Sequence, residues 1–179
     1  MEQGKFILSM LVNNESGVLT RISGLFARRG YNIDSLSVGE TQDRSISRMT
    51  IMANGDEYIR EQITRQVEKL HDVHVVELMD MEKTVMRELM LIKVAAGHDK
   101  RSQVQEAVDV FRAKVVDLTS ASVTVEVTGE KAKLDAFVAF LEPFGITELC
   151  RTGITAIGRG AYVLNELIKG EDSHGETVL

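Results

Sequence analysis

Residues 5–30 read KFILSMLVNNESGVLTRISGLFARRG and hold a strand, a turn and a helix in that order. Lys5 to Asn13 is a continuous apolar run, the pattern of a central strand buried on one face and partly covered on the other. Asn14-Glu15-Ser16-Gly17 interrupts it with residues that favour turns. From Gly17 to Arg29 the apolar residues Val18, Leu19, Ile22, Leu25 and Phe26 recur at helical spacing. Ser16 reads as the N-cap, and Gly30, tolerant of positive φ, as the stop.

Outward from this stretch the first half continues with a strand over residues 31–38, a polar loop from Gly39 to Ser45, and a strand over 47–53. Asn54-Gly55-Asp56 turns the chain and offers Asp56 as the next N-cap. Ile59, Ile63, Val67 and Leu70 lie on one face of a second helix, and residues 73–79 close the half as a strand. The second half repeats the order. Strands are expected over 85–95, 114–119, 122–128 and 146–152. Helical stripes run through Val104, Ala107, Val108 and Phe111, and through Leu134, Phe137, Val138 and Leu141 up to Pro143. Leu25-Phe26…Ile33-Asp34 echoes Val110-Phe111…Val116-Asp117 at a shift of about 84 residues. The fold class is α+β: two tandem ferredoxin-like βαββαβ domains. Their expected bounds are 4–79 and 84–160, followed by a partly disordered tail, 161–179, that is polar and acidic from Gly170 onward. A ferredoxin-like sheet has one face without helices, and strands this apolar predict a homo-oligomer.

A net charge of −6, with basic residues scattered among more numerous acids, argues against nucleic acid as a partner. No apolar run reaches the ~20 residues that span a bilayer, and the N-terminus lacks the pattern of a secretory signal, so the expected location is cytoplasmic, with no membrane partner. Cys150 is the single cysteine. His71 and His74 lie three apart with no third ligand in the sequence nearby, so no metal site is expected. No nucleophile elbow, Walker loop or dinucleotide fingerprint is present, and no catalytic residues are assigned.

The first strand-to-helix turn is the feature left over. A helix N-terminus carries unpaired N–H groups and partial positive charge, and attracts a carboxylate. Gly17 lets a ligand approach the backbone, and Asn14 offers a side-chain hydrogen bond. Gly30-Tyr31-Asn32-Ile33 supplies a second asparagine at the next strand. The same residues serve equally as a helix cap and a turn end, and spacing alone leaves both uses open.

The runs from Met10 to Ile22 and from Gly24 to Leu36, with Ser47-Arg48-Met49-Thr50-Ile51, resemble the ACT domain of acetolactate synthase small subunits, also called acetohydroxyacid synthase regulatory subunits. Arg87 to Val94, Phe111 to Asp117, Lys133 to Phe137 and Arg151-Thr152-Gly153-Ile154 continue the resemblance through the second half. It implies a non-catalytic regulatory subunit of branched-chain amino-acid biosynthesis, an ACT-paired homodimer binding valine or a related branched-chain amino acid at its interface. Carried over by motif, Asn14, Gly17, Val18 and Leu19 of one chain would hold the ligand's carboxylate and side chain. Asn32 and Ile33 of the facing chain would complete the pocket. The implied partner is the catalytic large subunit, carrying thiamine diphosphate, Mg²⁺ and FAD, which this subunit activates and makes sensitive to valine. Two alternatives stand beside this reading: a free-standing ACT-type amino-acid sensor, and a metal-responsive regulator, which would need a His/Cys cluster and a DNA-binding segment.

Overall fold

The computed structural model describes residues 4–167; the expected tail from residue 168 onward lies outside them. In the first half, β1 (Lys5–Asn13), α1 (Val18–Arg28), β2 (Ile33–Glu40), β3 (Ile46–Asn54), α2 (Glu57–Val67) and β4 (Val73–Leu78) follow in order. The strands pair antiparallel as β2–β3–β1–β4. The second half repeats this with β5 (Thr84–Ala95), α3 (Arg101–Val110), β6 (Lys114–Leu118), β7 (Ser122–Gly129), α4 (Lys131–Leu141) and β8 (Ile146–Arg151), paired as β6–β7–β5–β8. Both are the split βαββαβ arrangement that the hydrophobic pattern predicts. A short strand that the pattern does not announce, β9 (Thr155–Gly158), also pairs with β5.

Among the described residues the chain forms two compact units, residues 4–85 with 156–167, and residues 86–155. In the first, Phe6, Leu8, Met10 and Val12 of β1 meet Val18, Ile22, Leu25 and Phe26 of α1 and Ile63 and Val67 of α2. The strand's period of two and the helices' period of 3.6 put these residues on facing surfaces. In the second, Met90, Ile92 and Val94 meet Val104, Ala107 and Val108 of α3 and Leu134, Phe137 and Leu141 of α4.

The central odd-numbered residues of β1 are buried as well: Ile7, Ser9 and Leu11 are at most 1% exposed. A 3₁₀ turn, Leu164–Leu167, contacts β1 and β4, and its Leu164 is buried. Along β1 the helix-free face of the first sheet is thus contacted by later chain of the same unit, the turn Leu164–Leu167.

Helix ends match the sequence in part. Asp56 accepts the Ile59 N–H at 2.8 Å as the expected cap. Gly30 stops α1 at φ 70°, with Tyr31 N–H bonded to the Phe26 carbonyl and Gly30 N–H to Ala27, a Schellman motif. Ser16 does not cap α1; Gly17 holds the cap position with φ 89° and no side-chain cap bond. In the second unit Arg112 (φ 51°) fills the slot of Gly30, with Ala113 N–H bonded to Val108. Arg112 follows Gly30 by 82 residues, and the register kinks of β1 (Leu11/Val12) and β5 (Lys93/Val94) are separated equally. The repeat offset over strand and helix is thus 82, not the 84 suggested by the local echo.

Candidate functional site

The β1–α1 turn is held by partners far along the chain. Asn13 N–H donates to the Asp72 carbonyl at 2.9 Å, and Asn14 N–H to the Ser45 carbonyl at 2.7 Å. The Asn14 side-chain nitrogen donates to the Arg44 carbonyl at 2.9 Å and to Glu40 Oε1 at 3.3 Å. Since a carbonyl only accepts, the contact with Arg44 fixes which end of the Asn14 amide is nitrogen. Its side-chain oxygen takes no part in either bond. The receiving loop is itself braced: Asp43 Oδ1 accepts from the Ser45 hydroxyl at 2.7 Å and the Ser45 N–H at 2.9 Å. Those two bonds hold the Asp43 carboxyl below its ordinary value.

Gly17 follows with the positive φ that side-chain-bearing residues rarely adopt. Helix geometry leaves the N–H groups of the first turn, Val18, Leu19 and Thr20, without intrahelical acceptors, and no side chain caps them. Arg21 adds charge to that end. Its Nε lies 2.6 Å from Asp72 Oδ2, and its guanidinium is 3.8 Å from where a Cβ on Gly17 would stand. The turn thus combines uncapped N–H donors, a nearby cation, and the acceptors Asn14 Oδ1 and Glu40.

The residues singled out from sequence divide into two sets. Asn14, Gly17, Val18 and Leu19 come together at this turn. The Val18 side chain is 3% exposed and lies in the core, so its N–H is what it offers a ligand; Leu19 is 46% exposed and can form a wall. Asn32 donates to Asp34 Oδ1 at 2.9 Å, and Ile33 packs half-buried against the core. Ile33 pairs with Ala53 while Glu40 pairs with Ser47. Six residues of strand, roughly 20 Å, separate the two positions, so one chain does not join the two sets.

Arg21, Glu40 and Asp72 are missing from the sequence assignment. Arg21 was legible in principle, four residues after Gly17 on the same helix face; Glu40 and Asp72 reach the turn only through tertiary structure. His74, weighed as a metal ligand, places Nε2 2.6 Å from Asn13 Oδ1. Among the described residues no group of three or more His, Cys, Asp or Glu is arranged to hold a metal, and no helix is long and apolar enough to cross a membrane.

Comparison with known proteins agrees with this architecture. Residues 87–160 match the family described as the small subunit of acetolactate synthase, and residues 8–75 the AHAS small subunit-like ACT domain. The probable acetolactate synthase small subunit of Methanothermobacter thermautotrophicus is 47% identical over 165 residues, 92% of this chain and 98% of that one. The acetolactate synthase small subunit of Mycobacterium bovis is 49% identical over 153 residues, 86% of this chain and 91% of its own. The crystal structure of the acetolactate synthase small subunit from Thermotoga maritima superposes with a TM-score of 0.82 at 39% identity, covering 88% of this chain and 99% of that one. Two consecutive family matches, near-complete coverage of relatives and a shared fold lead to one conclusion: the chain belongs to the acetolactate synthase small subunits.

Proposed function

We propose that this chain is the non-catalytic regulatory partner of the acetolactate synthase large subunit, which it activates and which it inhibits when valine binds between the first units of two copies. The observation that carries the reading is the uncapped start of α1 at Gly17, flanked by Arg21 on one side and by Asn14 and Glu40 on the other. An amino acid presents a carboxylate and an ammonium on the same carbon atom, and this turn offers donors for the first and acceptors for the second. The first-turn N–H groups take the carboxylate; Asn14 Oδ1 and Glu40 take the ammonium.

The edge position of β2 supports a two-chain site. Antiparallel pairing of β2 with its copy about an axis between Leu36 and Ser37 sets Ile33 of one chain beside Glu40 of the other. The roughly 20 Å gap within one chain then closes across two, and Asn32 and Ile33 join Leu19 around the ligand's isopropyl group. The chemistry, with thiamine diphosphate, Mg²⁺ and FAD, is assigned to the large subunit.

Micromolar to millimolar affinity for valine is about −8 to −4 kcal/mol, and coupling of ~1–3 kcal/mol to a distant site gives graded rather than complete inhibition. The test is isothermal titration of the chain with valine, alongside Gly17→Asp, with assays of the reconstituted synthase. Saturable binding abolished in a folded Gly17→Asp chain, with activation retained, supports the reading. Equal binding by both proteins, or a large subunit unaffected by the chain, overturns it.

A further inference from the structure

The last six residues of α4, Ala136-Phe137-Val138-Ala139-Phe140-Leu141, contain no polar side chain. Phe137 and Leu141 lie in the core of the second unit, but Ala136, Ala139 and Phe140 are exposed, Phe140 by 45%, and an exposed Pro143 follows. The Phe140 ring lies 6.4 Å from that of Phe111 at the end of α3, where Val110 is 72% exposed. A helix apolar on every side belongs in an interior. We infer that this face, centred on Phe140, is where the catalytic large subunit docks; the inference rests on the regulatory reading above and adds a surface to it.

The fold itself does not require the face to be apolar. α4 starts and ends 74 residues after α2, and the buried pair Phe137 and Leu141 takes the places of Ile63 and Val67. Gln62, Arg65 and Gln66 stand where α4 has Ala136, Ala139 and Phe140. Arg28 and Arg29 precede Val110 and Phe111 by the repeat offset of 82. Every one of these positions is polar in the first unit and apolar in the second. Single exposed apolar side chains are ordinary on a protein surface, but five replaced together mark a surface that is covered in use.

The identity of the occupant follows from where the difference falls. The polar version lies in the part matched to the ACT domain, residues 8–75, and the apolar version in the part matched to the acetolactate synthase small subunit, residues 87–160. Membership of that family implies a catalytic large subunit as partner. The edge of β2 accounts for a second copy, whereas the large subunit still requires a surface. The exposed apolar area is a few hundred Å², short of the ~800 Å² that each partner of a stable complex buries, so the face is the apolar centre of a wider contact. Glu106 lies one helical turn before Val110, and Arg112 and Glu142 follow Val110 and Phe140 by two residues; all three are exposed. Charges of both signs beside an apolar centre suit a protein surface better than an anionic bilayer.

The test titrates the large subunit with the full chain and reads synthase activity, with Ala136→Glu and Phe140→Glu beside the parent. Each substitution puts a carboxylate into the middle of the face. Ala136 is exposed and glutamate is a good helix former, so Ala136→Glu decides the matter where loss of the Phe111 and Phe144 ring contacts unfolds Phe140→Glu. The concentration of folded variant that gives half-maximal activation should rise at least about tenfold. Valine binding by the isolated variants should match that of the parent. Gln66→Glu, the same acid at the equivalent place of α2, should activate as the parent does. Activation by folded Ala136→Glu at the parent's own concentration overturns the inference. A changed sedimentation coefficient of the isolated Ala136→Glu chain also overturns it, by assigning the face to a second copy. A parent chain that does not activate the large subunit overturns the regulatory reading and the inference together; a parent that activates beside equally active variants overturns the inference alone.

Discussion

Arg21 Nε lies 2.6 Å from Asp72 Oδ2, and the backbone carbonyl of the same Asp72 receives the Asn13 N–H at 2.9 Å. One residue ahead of β4 therefore grips both sides of the β1–α1 turn. Arg21 is half exposed, so Arg21→Gln should cost no more than about 1 kcal/mol of stability. The same change removes a cation from beside Gly17. Valine affinity should fall several-fold and lose part of its dependence on ionic strength, read by calorimetry at low and high salt.

Two glycines of the first helical segment should respond in opposite directions. Gly24 has ordinary helical backbone and open space where a methyl group would stand, so Gly24→Ala should stabilise by about 0.5–1 kcal/mol. At Gly17 the methyl would also find room, but φ 89° strains any side-chain-bearing residue. Gly17→Ala should destabilise by about 1–2 kcal/mol. Urea midpoints of the two variants check both signs.

Arg112 occupies the left-handed position that Gly30 fills in the first unit. Arg112→Gly should raise stability by about 0.5–1 kcal/mol, the steric relief exceeding the added chain entropy. Gly30→Ala should lower it by a similar amount. A denaturant series in which both substitutions destabilise would refute the equivalence of the two helix ends.

Asp135 in α4 receives hydrogen bonds from Lys131 and from Arg151, the latter at 2.8 Å. Partial burial pushes its carboxyl up, but the bonds and charges of Lys131 and Arg151 outweigh this and hold it below the ordinary 3.8. A depressed carboxyl favours the fold above its unfolded value and ceases to do so as pH falls through the folded one. The stability gap between the parent chain and Asp135→Asn should therefore be full at pH 5–7 and shrink below about pH 3.8. Thermal melts across that range give the profile.

Val38 on the edge strand β2 is 48% exposed. A lysine there places charge on the edge proposed to pair between copies, so Val38→Lys should shift the chain toward monomer in sedimentation and weaken valine binding in parallel. Unchanged association would remove β2 from the interface.

Elements were legible where one periodicity persisted. Met10 and Val12 in the strand, and Ile22, Leu25 and Phe26 in the helix, announce their faces without tertiary help. The turn between them was half legible: Asn14 and Gly17 stood out by type, but Ser16 was given the cap. The backbone there answers to Ser45 and Asp72, 31 and 59 residues from Asn14 and Asn13, and local propensity carries no trace of such partners. For the same reason Glu40 went unassigned. β9 escaped because four residues, Thr155 to Gly158, offer too short a pattern to separate from a loop.

The second face of the first sheet has a further consequence for how the molecule is made. Ile7, Ser9 and Leu11 are buried, and the turn Leu164–Leu167 that packs on β1 and β4 comes from the last part of the described chain. A ribosome delivers β4 long before that turn. At ~5–20 residues per second the intervening 80 or so residues take about 4–16 s. Through that interval the nascent N-terminal sheet has helices for one face and nothing of that turn for the other. That face is reached only by chain made after the second unit's own strands and helices.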